Sequence, residues 1–272
     1  MPSGANANPF VRLEQLACVK NYCTATGSYI DANNVTQGLI VGEVSGAWTS
    51  GVTLSLPADT SAFSNANLSS TTCVAPGYCT AIGTYENVHG FLEGLTVTET
   101  RGHWNRAVTM RMPANAAGNP HVFFYGFTGI SCPNASNCAT GGQYRDSAGN
   151  YQGFLLDEVS GTWGGAVQLS LPAGAQSAGK NGGVVALTCV SVGNCTAGAA
   201  YLDGSNNYQA VTANEVAGAW RSGVKIALPA GATTVGVAGG VYGLFCSRNS
   251  QCTATGSYQR GANYEGFTVA TR

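Results

Sequence analysis

Five pairs of cysteines divide the 272-residue chain into similar units. In each pair the second cysteine follows the first by five or six residues and opens a similar phrase, which reads Cys-Thr-Ala-x-Gly-x-Tyr in three of the five copies. The second cysteines are 56, 59, 57 and 57 residues apart. A period of this length is typical of a repeated supersecondary unit whose neighbouring copies bury each other's faces. These cysteines are Cys23, Cys79, Cys138, Cys195 and Cys252.

The ten cysteines are expected to form five disulfide bonds, one in each repeat. Every cysteine belongs to the paired pattern, and charged residues make up only 9% of the chain, which favours a disulfide framework in an oxidising compartment. A zinc site would need four converging ligands, whereas one pair occurs per repeat and no histidine accompanies the pairs. We therefore predict a secreted, extracellular protein. The expected bonds are Cys18–Cys23, Cys73–Cys79, Cys132–Cys138, Cys189–Cys195 and Cys246–Cys252.

Each complete repeat contains four strand-like segments. The first ends at the first cysteine, and the second is the Cys-to-Tyr phrase, where small residues such as Ala81 and Gly83 alternate with the period of a strand. We expect these small residues to let a neighbouring sheet approach closely. A polar turn leads to the third segment, which is followed by Gly-x-Trp and by Val-x-Φ-x-Φ-Pro, where Φ is apolar and the proline ends an edge strand.

Four short antiparallel strands joined by tight turns, with one longer link, describe a propeller blade. The sequence therefore predicts an all-β, five-bladed β-propeller with four-stranded blades, one hairpin disulfide per blade and the first segment along the central channel. A solenoid of stacked hairpins is the structural alternative. The last blade is expected to be incomplete, because the chain ends before a fifth Gly-x-Trp. We predict a single domain over residues 1–272, with repeats at about 3–57, 58–113, 114–172, 173–229 and 230–272.

Charge and hydropathy argue against several classes of function. The net charge is −1 and the three lysines are scattered, whereas nucleic-acid binding needs clustered Lys and Arg. No apolar run approaches the ~20 residues that span a bilayer, so membrane insertion is not expected. No phosphate loop, Ca²⁺ loop or nucleophile elbow occurs, so we predict no cofactor and no metal. We expect a monomer.

A conventional pair of catalytic carboxylates is not visible in the sequence. Glycoside hydrolysis needs an acid and a base or nucleophile beside one bond, and the predicted inner strands offer only Glu14. An acid precedes each Gly-x-Trp, away from the axis, where we expect it to accept hydrogen bonds from the turn. These acids are Glu43, Glu99, Glu158 and Glu215, and the tryptophans that follow them, expected as core anchors, are Trp48, Trp104, Trp163 and Trp220.

The leading candidate for ligand binding is a tyrosine beside a polar turn, repeated along the chain. Amides and carboxylates can hydrogen-bond sugar hydroxyls, an aromatic face can stack on a sugar ring, and several copies would raise avidity. The alternative interpretation is that the tyrosine closes the blade and the polar residues only make the turn. The predicted residues are Tyr29 with Asp31, Tyr85 with Asn87, Tyr144 with Asp146, Tyr201 with Asp203, and Tyr258.

A second candidate site lies where the link after the second repeat is about three residues longer than the others. This link contains the aromatic-rich segment His121-Val-Phe-Phe-Tyr-Gly-Phe127. Another histidine lies in a turn predicted at the same end of the blades. The segment could form a ligand platform or plug a local core, and the histidines could equally be solvated loop residues. The candidate residues are His89, His121, Phe123 and Tyr125.

The repeats resemble those of secreted bacterial proteins built from Ser-Cys…Cys…Tyr…Gly-x-Trp units, as in Ser131-Cys132, Cys138, Tyr144 and Trp163. This resemblance covers the whole chain and implies an extracellular propeller with no transferable activity. The five-bladed arrangement is also similar to that of the tachylectin class of lectins. Their binding motifs are not recognisable here, so this second resemblance concerns the architecture alone.

The leading functional hypothesis is a secreted, multivalent carbohydrate-binding module, lectin-like, with a glycan or cell-surface polymer as partner. One alternative is a polysaccharide-acting hydrolase or lyase with an unusual site near the channel. Another is a structural or adhesion module without a small ligand. Whether the chain is an enzyme stays open, although the missing carboxylate pair favours a binding protein. Equivalent residues in several blades would indicate binding, whereas one irregular cluster would indicate catalysis.

Overall fold

The computed structural model describes residues 1–124, 129–176, 182–232, 234–235, 240–247 and 251–271. Every regular element within these ranges is a β-strand, and none of them is a helix that could cross a membrane. The strands form five antiparallel sheets, one for each cysteine pair. The chain is therefore a five-bladed β-propeller, as the repeat pattern predicted.

The strands follow one another in the same order in every blade. Blade 1 contains β1 (Arg12–Val19), β2 (Tyr22–Ile30), β3 (Thr36–Val44), β4 (Ala47–Trp48) and β5 (Val52–Thr53). Blade 2 contains β6 (Asn67–Ala75), β7 (Tyr78–Glu86), β8 (Leu92–Thr100), β9 (His103–Trp104) and β10 (Val108–Thr109). Blade 3 contains β11 (Ser131–Asn134), β12 (Asn137–Arg145), β13 (Tyr151–Val159), β14 (Thr162–Trp163) and β15 (Val167–Gln168). Blade 4 contains β16 (Gly183–Ser191), β17 (Asn194–Leu202), β18 (Tyr208–Val216), β19 (Ala219–Trp220) and β20 (Val224–Lys225). Blade 5 contains β21 (Thr234–Val235), β22 (Val241–Cys246), β23 (Cys252–Arg260) and β24 (Asn263–Thr271).

The fourth strand of each complete blade is split into two short parts that pair with the same third strand. The tryptophan of Gly-x-Trp lies in the first part, as in β9, which consists of His103 and Trp104. The glycine two residues earlier has a positive φ in each case, which glycine adopts without steric cost and which turns the chain tightly into this strand. These glycines are Gly46, Gly102, Gly161 and Gly218, with φ of 86°, 80°, 79° and 80° respectively.

Blade 5 has three strands, which confirms the predicted incomplete last blade. Its first strand is divided between β21 and β22, which both pair with β23, and β24 pairs with the other edge of β23. No counterpart of the split fourth strand follows β24 in the described part of the chain. The outer edge of this sheet therefore consists of β24.

All five predicted disulfides are present, and each joins the first two strands of its blade. The paired Cα atoms are 3.9 to 4.1 Å apart. The sulfur atoms also contact the preceding blade. Thr24 Oγ1 lies 3.5 Å from Cys79 Sγ, Thr80 Oγ1 lies 3.8 Å from Cys138 Sγ, and Thr196 Oγ1 lies 3.4 Å from Cys252 Sγ. The disulfides therefore form part of the packing between blades.

The glycine of the repeated phrase faces a β-bulge in the first strand of its own blade. The register between β6 and β7 shifts between Leu68 and Ser70. A Cβ atom on Gly83, which pairs with Leu68, would lie 2.0 Å from the carbonyl oxygen of Asn67. The same conflict occurs at Gly27 and Gly256. The expectation that this glycine makes room for a neighbouring sheet is corrected, because the close neighbour belongs to the same blade.

Successive blades pack face to face. Side chains alternate along a strand, so Thr24 and Ile40 of blade 1 are turned to blade 2, whereas Ala81 and Leu95 of blade 2 are turned back to blade 1. We call the face with Thr24, Ile40 and their equivalents the leading face, and the face with Ala81, Leu95 and their equivalents the trailing face. Apolar clusters join these faces between blades 1 and 2, 2 and 3, 3 and 4, and 4 and 5.

The two faces at the ends of this series are uncovered. Leu13, on the trailing face of blade 1, is 55% exposed, and so is Trp48. The residues equivalent to Leu13 in blades 2, 4 and 5 are fully buried; they are Leu68, Val184 and Val241. On the leading face of blade 5, Phe245 is 73% exposed. Blade 5 therefore does not cover blade 1 in the way that the other blades cover their neighbours.

The connections divide the molecule into two ends. The disulfide hairpins and the Gly-x-Trp turns lie at one end, which we call the disulfide end. The turns between the second and third strands lie at the other end, which we call the Asx end. The links between blades cross this second end, where isolated bridges join Ala5 to Asp31, Thr60 to Asn87, Ala116 to Asp146 and Ala175 to Asp203. Any site must belong to one of these ends, to the channel or to the outer rim.

Candidate ligand sites at the two ends of the blades

The five tyrosines predicted to bind a ligand are buried in the blades. The hydroxyl groups of three of them meet polar groups of a fourth strand or of a link between blades. Tyr29 Oη lies 2.7 Å from Thr53 Oγ1, Tyr85 donates to Asp59 Oδ1 at 2.9 Å, and Tyr144 donates to Asn115 Oδ1 at 2.7 Å. No ring face is open for stacking on a sugar in this arrangement. The buried rings are those of Tyr29, Tyr85, Tyr144, Tyr201 and Tyr258.

The acidic residues paired with these tyrosines close the turns at the Asx end. Asp31 Oδ1 accepts the backbone N–H groups of Asn33 and Val35, and its Oδ2 accepts the side chain of Gln37. The hydrogen bond from Val35 is the main reason why the pKa of Asp31 is lowered from its usual value. The same three bonds occur at Asp146 and Asp203. The turn itself thus occupies the oxygens that were predicted to hold a sugar.

Blade 2 keeps this turn with the amide and the carboxylate exchanged. Asn87 Oδ1 accepts the backbone N–H groups of His89 and Phe91, and Asn87 Nδ2 donates to Glu93 Oε1 at 3.1 Å. Where the other turns pair an aspartate with a glutamine, this one pairs an asparagine with a glutamate. Burial, and then the nearby carboxyl of Asp59, raise the pKa of Glu93. One carboxylate and one amide are present in each of the four turns, which indicates a structural pair.

The second predicted site lies at the Asx end and is only partly brought together. His121 packs on Phe123 with ring centroids 5.2 Å apart, and Phe123 meets Tyr151 edge-on at 6.2 Å. His89 contacts Phe91 instead, with centroids 5.8 Å apart. Tyr125 lies outside the described residues. Within the described ranges no group of three His, Cys, Asp or Glu side chains converges. His121 and Phe123 belong to one aromatic cluster, and His89 belongs to a separate contact with Phe91.

A groove of about 400 Å³ at the Asx end runs beside one predicted site, in blade 3. Its amide side chains form a chain of hydrogen bonds. Asn115 Nδ2 donates to Gln168 Oε1 at 3.0 Å, and Gln168 Nε2 donates to Gln152 Oε1 at 3.1 Å. Gln152 in turn donates to Asp146. The groove is shallow and polar, and its amides already bind one another.

A different set of openings repeats along the disulfide end. Crevices of about 250, 250 and 220 Å³ lie between blades 2 and 3, 3 and 4, and 4 and 5. Each is bounded by a disulfide hairpin of one blade and by the third or fourth strand of its neighbour. We call them the 2–3, 3–4 and 4–5 crevices. Within the described part of the chain, these crevices recur at three successive seams.

Three of the four acids that precede Gly-x-Trp lie at the seams between blades and are more buried than the sequence suggested; they are Glu99, Glu158 and Glu215. Glu43 does accept a hydrogen bond from Gly46 N, as expected for a turn acceptor. Glu99 instead accepts the hydroxyl of Tyr22 from blade 1 at 2.5 Å. Glu158 and Glu215 accept no hydrogen bond from the residues that the structure describes, which corrects the expectation for them. Burial raises the pKa of Glu158 to about 7.

The 3–4 crevice departs from the others because two acids face each other across it. Asp157, on the leading face of blade 3, accepts the indole N–H of Trp220 at 2.8 Å through Oδ2. Glu215, on the trailing face of blade 4, lines the same crevice. Burial, and then Asp157, raise the pKa of Glu215 to about 7. Burial also raises the pKa of Asp157, against the effect of the Trp220 hydrogen bond.

Sequence reasoning missed this pair although the repeat alignment contains its signal. The residue before the repeated glutamate is Gly42 in blade 1, Thr98 in blade 2 and Asn214 in blade 4, whereas blade 3 has Asp157. Adjacent strand residues point to opposite faces, so Asp157 had to face blade 4. Alignment of the repeat positions could therefore have identified Asp157 as the odd residue, but only the packing of blades places Glu215 opposite to it.

No protein-family model and no curated protein sequence matches the chain. Among solved structures, a protein of unknown function from Dyadobacter fermentans is 9% identical, with a TM-score of 0.55 over 97% of this chain and 80% of that one. An ulvan lyase, a polysaccharide lyase, is 9% identical with a TM-score of 0.54, covering 98% of this chain and 72% of its own. A Trypanosoma rangeli sialidase is 12% identical with a TM-score of 0.53, covering 98% and 47%.

These likenesses concern the fold, which is a propeller that carbohydrate-acting enzymes also use. At identities of 9 to 12% they show nothing narrower. The chain spans about half the length of the sialidase. The resemblance to tachylectin-type lectins stays a prediction.

Proposed function

We propose that the protein is a secreted, multivalent carbohydrate-binding propeller whose sites are the crevices at the disulfide end. The observation that carries this proposal is the recurrence of an opening of similar volume at three successive seams. Five disulfides favour an extracellular location. Fold neighbours whose names describe a sialidase and a polysaccharide lyase support a carbohydrate ligand.

The crevices suit single sugar units better than long chains. Their volumes fall below the ~300 to 1,000 Å³ of common small-molecule pockets. In the 2–3 crevice, Thr96, Thr98 and Asn105 provide hydroxyl and amide groups, and Trp163 provides an aromatic wall. Weak binding in each of several crevices would add up on a polymer with repeated sugars.

A glycan array followed by calorimetry tests this function. We expect up to three sugar units bound per chain. Val192 lies at the mouth of the 3–4 crevice and is exposed. Val192→Trp should therefore lower the stoichiometry by one. Ala148→Trp is the matched control, since Ala148 is exposed beside the Asp146 turn at the Asx end. A loss of binding in Ala148→Trp would restore the tyrosine–turn site, and no binding on a broad array would leave a structural or adhesion module.

Catalysis is the second candidate function, and the facing acids Asp157 and Glu215 favour it. A carboxyl group with a raised pKa can serve as general acid beside a second carboxylate. The test is release of reducing ends, or of unsaturated products, from a panel of polysaccharides. Turnover by the purified protein that is lost in Glu215→Gln would establish an enzyme, whereas binding without turnover would exclude one for those substrates.

A further inference from the structure

The 3–4 crevice contains acceptor oxygens that nothing in the described part of the chain satisfies. Asp157 Oδ2 accepts the Trp220 indole, but Asp157 Oδ1 is buried without a partner. Glu215 is only 6% exposed, lines the crevice and has no hydrogen-bond donor among the described residues. Glu158 also borders the crevice, but as the strand neighbour of Asp157 its side chain belongs to the opposite face. Two carboxyl groups from different blades thus point into one small space.

The rest of the lining supplies no positive charge. Besides the acids, the crevice is bordered mainly by apolar side chains and by the cysteines of two disulfides, and none of its lining residues is Lys, Arg or His. Buried carboxylates without a countercharge are costly, so such groups stay protonated until a cation reaches them. A ligand that carries the cation would therefore form a charge interaction with these carboxyl groups and would donate hydrogen bonds to their unsatisfied oxygens.

The chemistry of the lining selects the kind of cation. A divalent metal such as Ca²⁺ takes six or more oxygen ligands, which two carboxyl groups in an apolar wall do not provide. A primary ammonium group has three N–H donors, and the crevice offers Asp157 Oδ1 and the two oxygens of Glu215 as acceptors. The volume of about 250 Å³ admits a small group and not a bulky one.

We propose that the 3–4 crevice binds the protonated amine of an amino sugar, so that the propeller selects glycans with free amino groups over their N-acetylated forms. This inference rests on the proposed carbohydrate-binding function. An N-acetyl group is neutral and keeps one N–H donor, so it satisfies the facing carboxyl groups poorly. The equivalent position in blade 2 is Thr98, so the 2–3 crevice lacks the second acid and is not expected to share this preference.

Calorimetry with matched oligomers tests the amine site. The probes are short glucosamine oligomers and N-acetylglucosamine oligomers of equal length. We expect the wild-type chain to bind the free amine at least tenfold more tightly. The isosteric variants Asp157→Asn and Glu215→Gln should lose this preference. Glu43→Gln, at the same repeat position on the uncovered face of blade 1, is the control and should retain the preference.

A second measurement keeps the proposal falsifiable if one variant does not fold. Burial, and then Asp157, raise the pKa of Glu215 to about 7, so binding of the ammonium to this carboxyl group near pH 6 should release a proton. Titrations near pH 6 in two buffers with different ionisation enthalpies should therefore show proton release for the free-amine oligomer alone. Equal affinity of the wild-type chain for both oligomers overturns the proposal, and so does a preference that survives in both variants. If no sugar binds but 1,5-diaminopentane binds in a manner that needs Asp157, the amine site is supported and the carbohydrate assignment is overturned.

Discussion

At the scale of single residues, Gly83 shows how the space for a single Cβ atom can determine which residue a repeat motif contains. Its place in the phrase Cys-Thr-Ala-x-Gly-x-Tyr is set by the bulge in β6, where a Cβ atom would lie 2.0 Å from the carbonyl oxygen of Asn67. A backbone oxygen cannot rotate away as the end of a flexible side chain can. The glycine is therefore a requirement of the hairpin and not of the neighbouring blade.

Gly83→Ala should consequently destabilise the protein by about 1 to 3 kcal/mol, the usual range for overpacking a well-packed site. The measurement is the unfolding midpoint in urea. Gly118→Ala is the matched control, because a Cβ at Gly118 meets nothing within 4 Å and its φ is not positive. That variant should be neutral or slightly stabilising. Equal effects of the two substitutions would contradict the role assigned to the bulge.

The buried acid Glu158 makes stability depend on pH in a defined direction. Burial raises its pKa from 4.5 to about 7. Since the pKa is higher in the folded state, the contribution of the neutral carboxyl is complete below about pH 4.5 and is lost as the pH rises through 7. We expect the free energy of unfolding to fall between pH 5 and pH 8, and to fall less in Glu158→Gln, which stays neutral.

Urea titrations at four pH values check this dependence. Arg106 is the charged side chain that lines the 2–3 crevice together with Glu158. Glu43→Gln serves as control, because Glu43 lies on the uncovered face and should leave the slope unchanged. Parallel pH profiles for the wild-type chain and Glu158→Gln would show that this carboxyl does not set the slope.

At the scale of elements, the disulfide hairpins differ in how far the neighbouring blade covers them. Cys79, Cys138, Cys195 and Cys252 are buried against the preceding blade. Cys18 is exposed and Cys23 is half-buried, because the trailing face of blade 1 has no neighbour. The hairpins have the same sequence pattern, so the difference arises from their position in the series.

Reductant should therefore open Cys18–Cys23 before the other bonds, since thiol–disulfide exchange requires access to the sulfur atoms. The measurement is limited reduction of the folded protein, alkylation and peptide mass spectrometry. We expect the label at Cys18 and Cys23 to appear first, with Cys73–Cys79 as the matched internal comparison. Simultaneous labelling of both pairs would mean that blade 1 is covered in solution.

The sequence was sufficient to predict the blades and insufficient to predict the candidate site. Cysteine spacing, strand alternation and the missing fifth Gly-x-Trp predicted the fold, because these features act within one repeat. The ligand-binding role of the tyrosine–turn pairs stays a prediction. The burial of Tyr144 and the closed bonds of Asp146 depend on the third strand and on the links between blades. The facing of Asp157 and Glu215 depends on how two blades pack, and no pattern within one repeat reports that.

At the scale of the whole molecule, the same type of contact between successive blades occurs four times. Each leading face meets a trailing face, and the end faces with Leu13 and Phe245 remain without such a partner. The contribution of a residue to the free energy of unfolding therefore depends on its blade as well as on its type. Equivalent residues at the end and in the middle of the series provide a direct measure of this effect.

Leu68→Ala should cost about 2 to 5 kcal/mol, as expected for a fully buried leucine. Leu13→Ala, at the equivalent position on the uncovered face, should cost less than about 1 kcal/mol. Chemical unfolding of both variants in the same buffer measures the difference. A cost at Leu13 close to that at Leu68 would indicate that another surface covers blade 1 in solution.

The contact of a threonine hydroxyl with the disulfide of the next blade has a consequence for how the molecule comes apart. Thr80 of blade 2 contacts Cys138 Sγ of blade 3. The disulfide that closes the first hairpin of blade 3 is therefore also part of the contact with blade 2. Cleavage of one S–S bond should then perturb both of the blades that meet at that seam. The smallest cooperative unit of unfolding should accordingly be a pair of adjacent blades, and hydrogen exchange should report the two members of such a pair opening together.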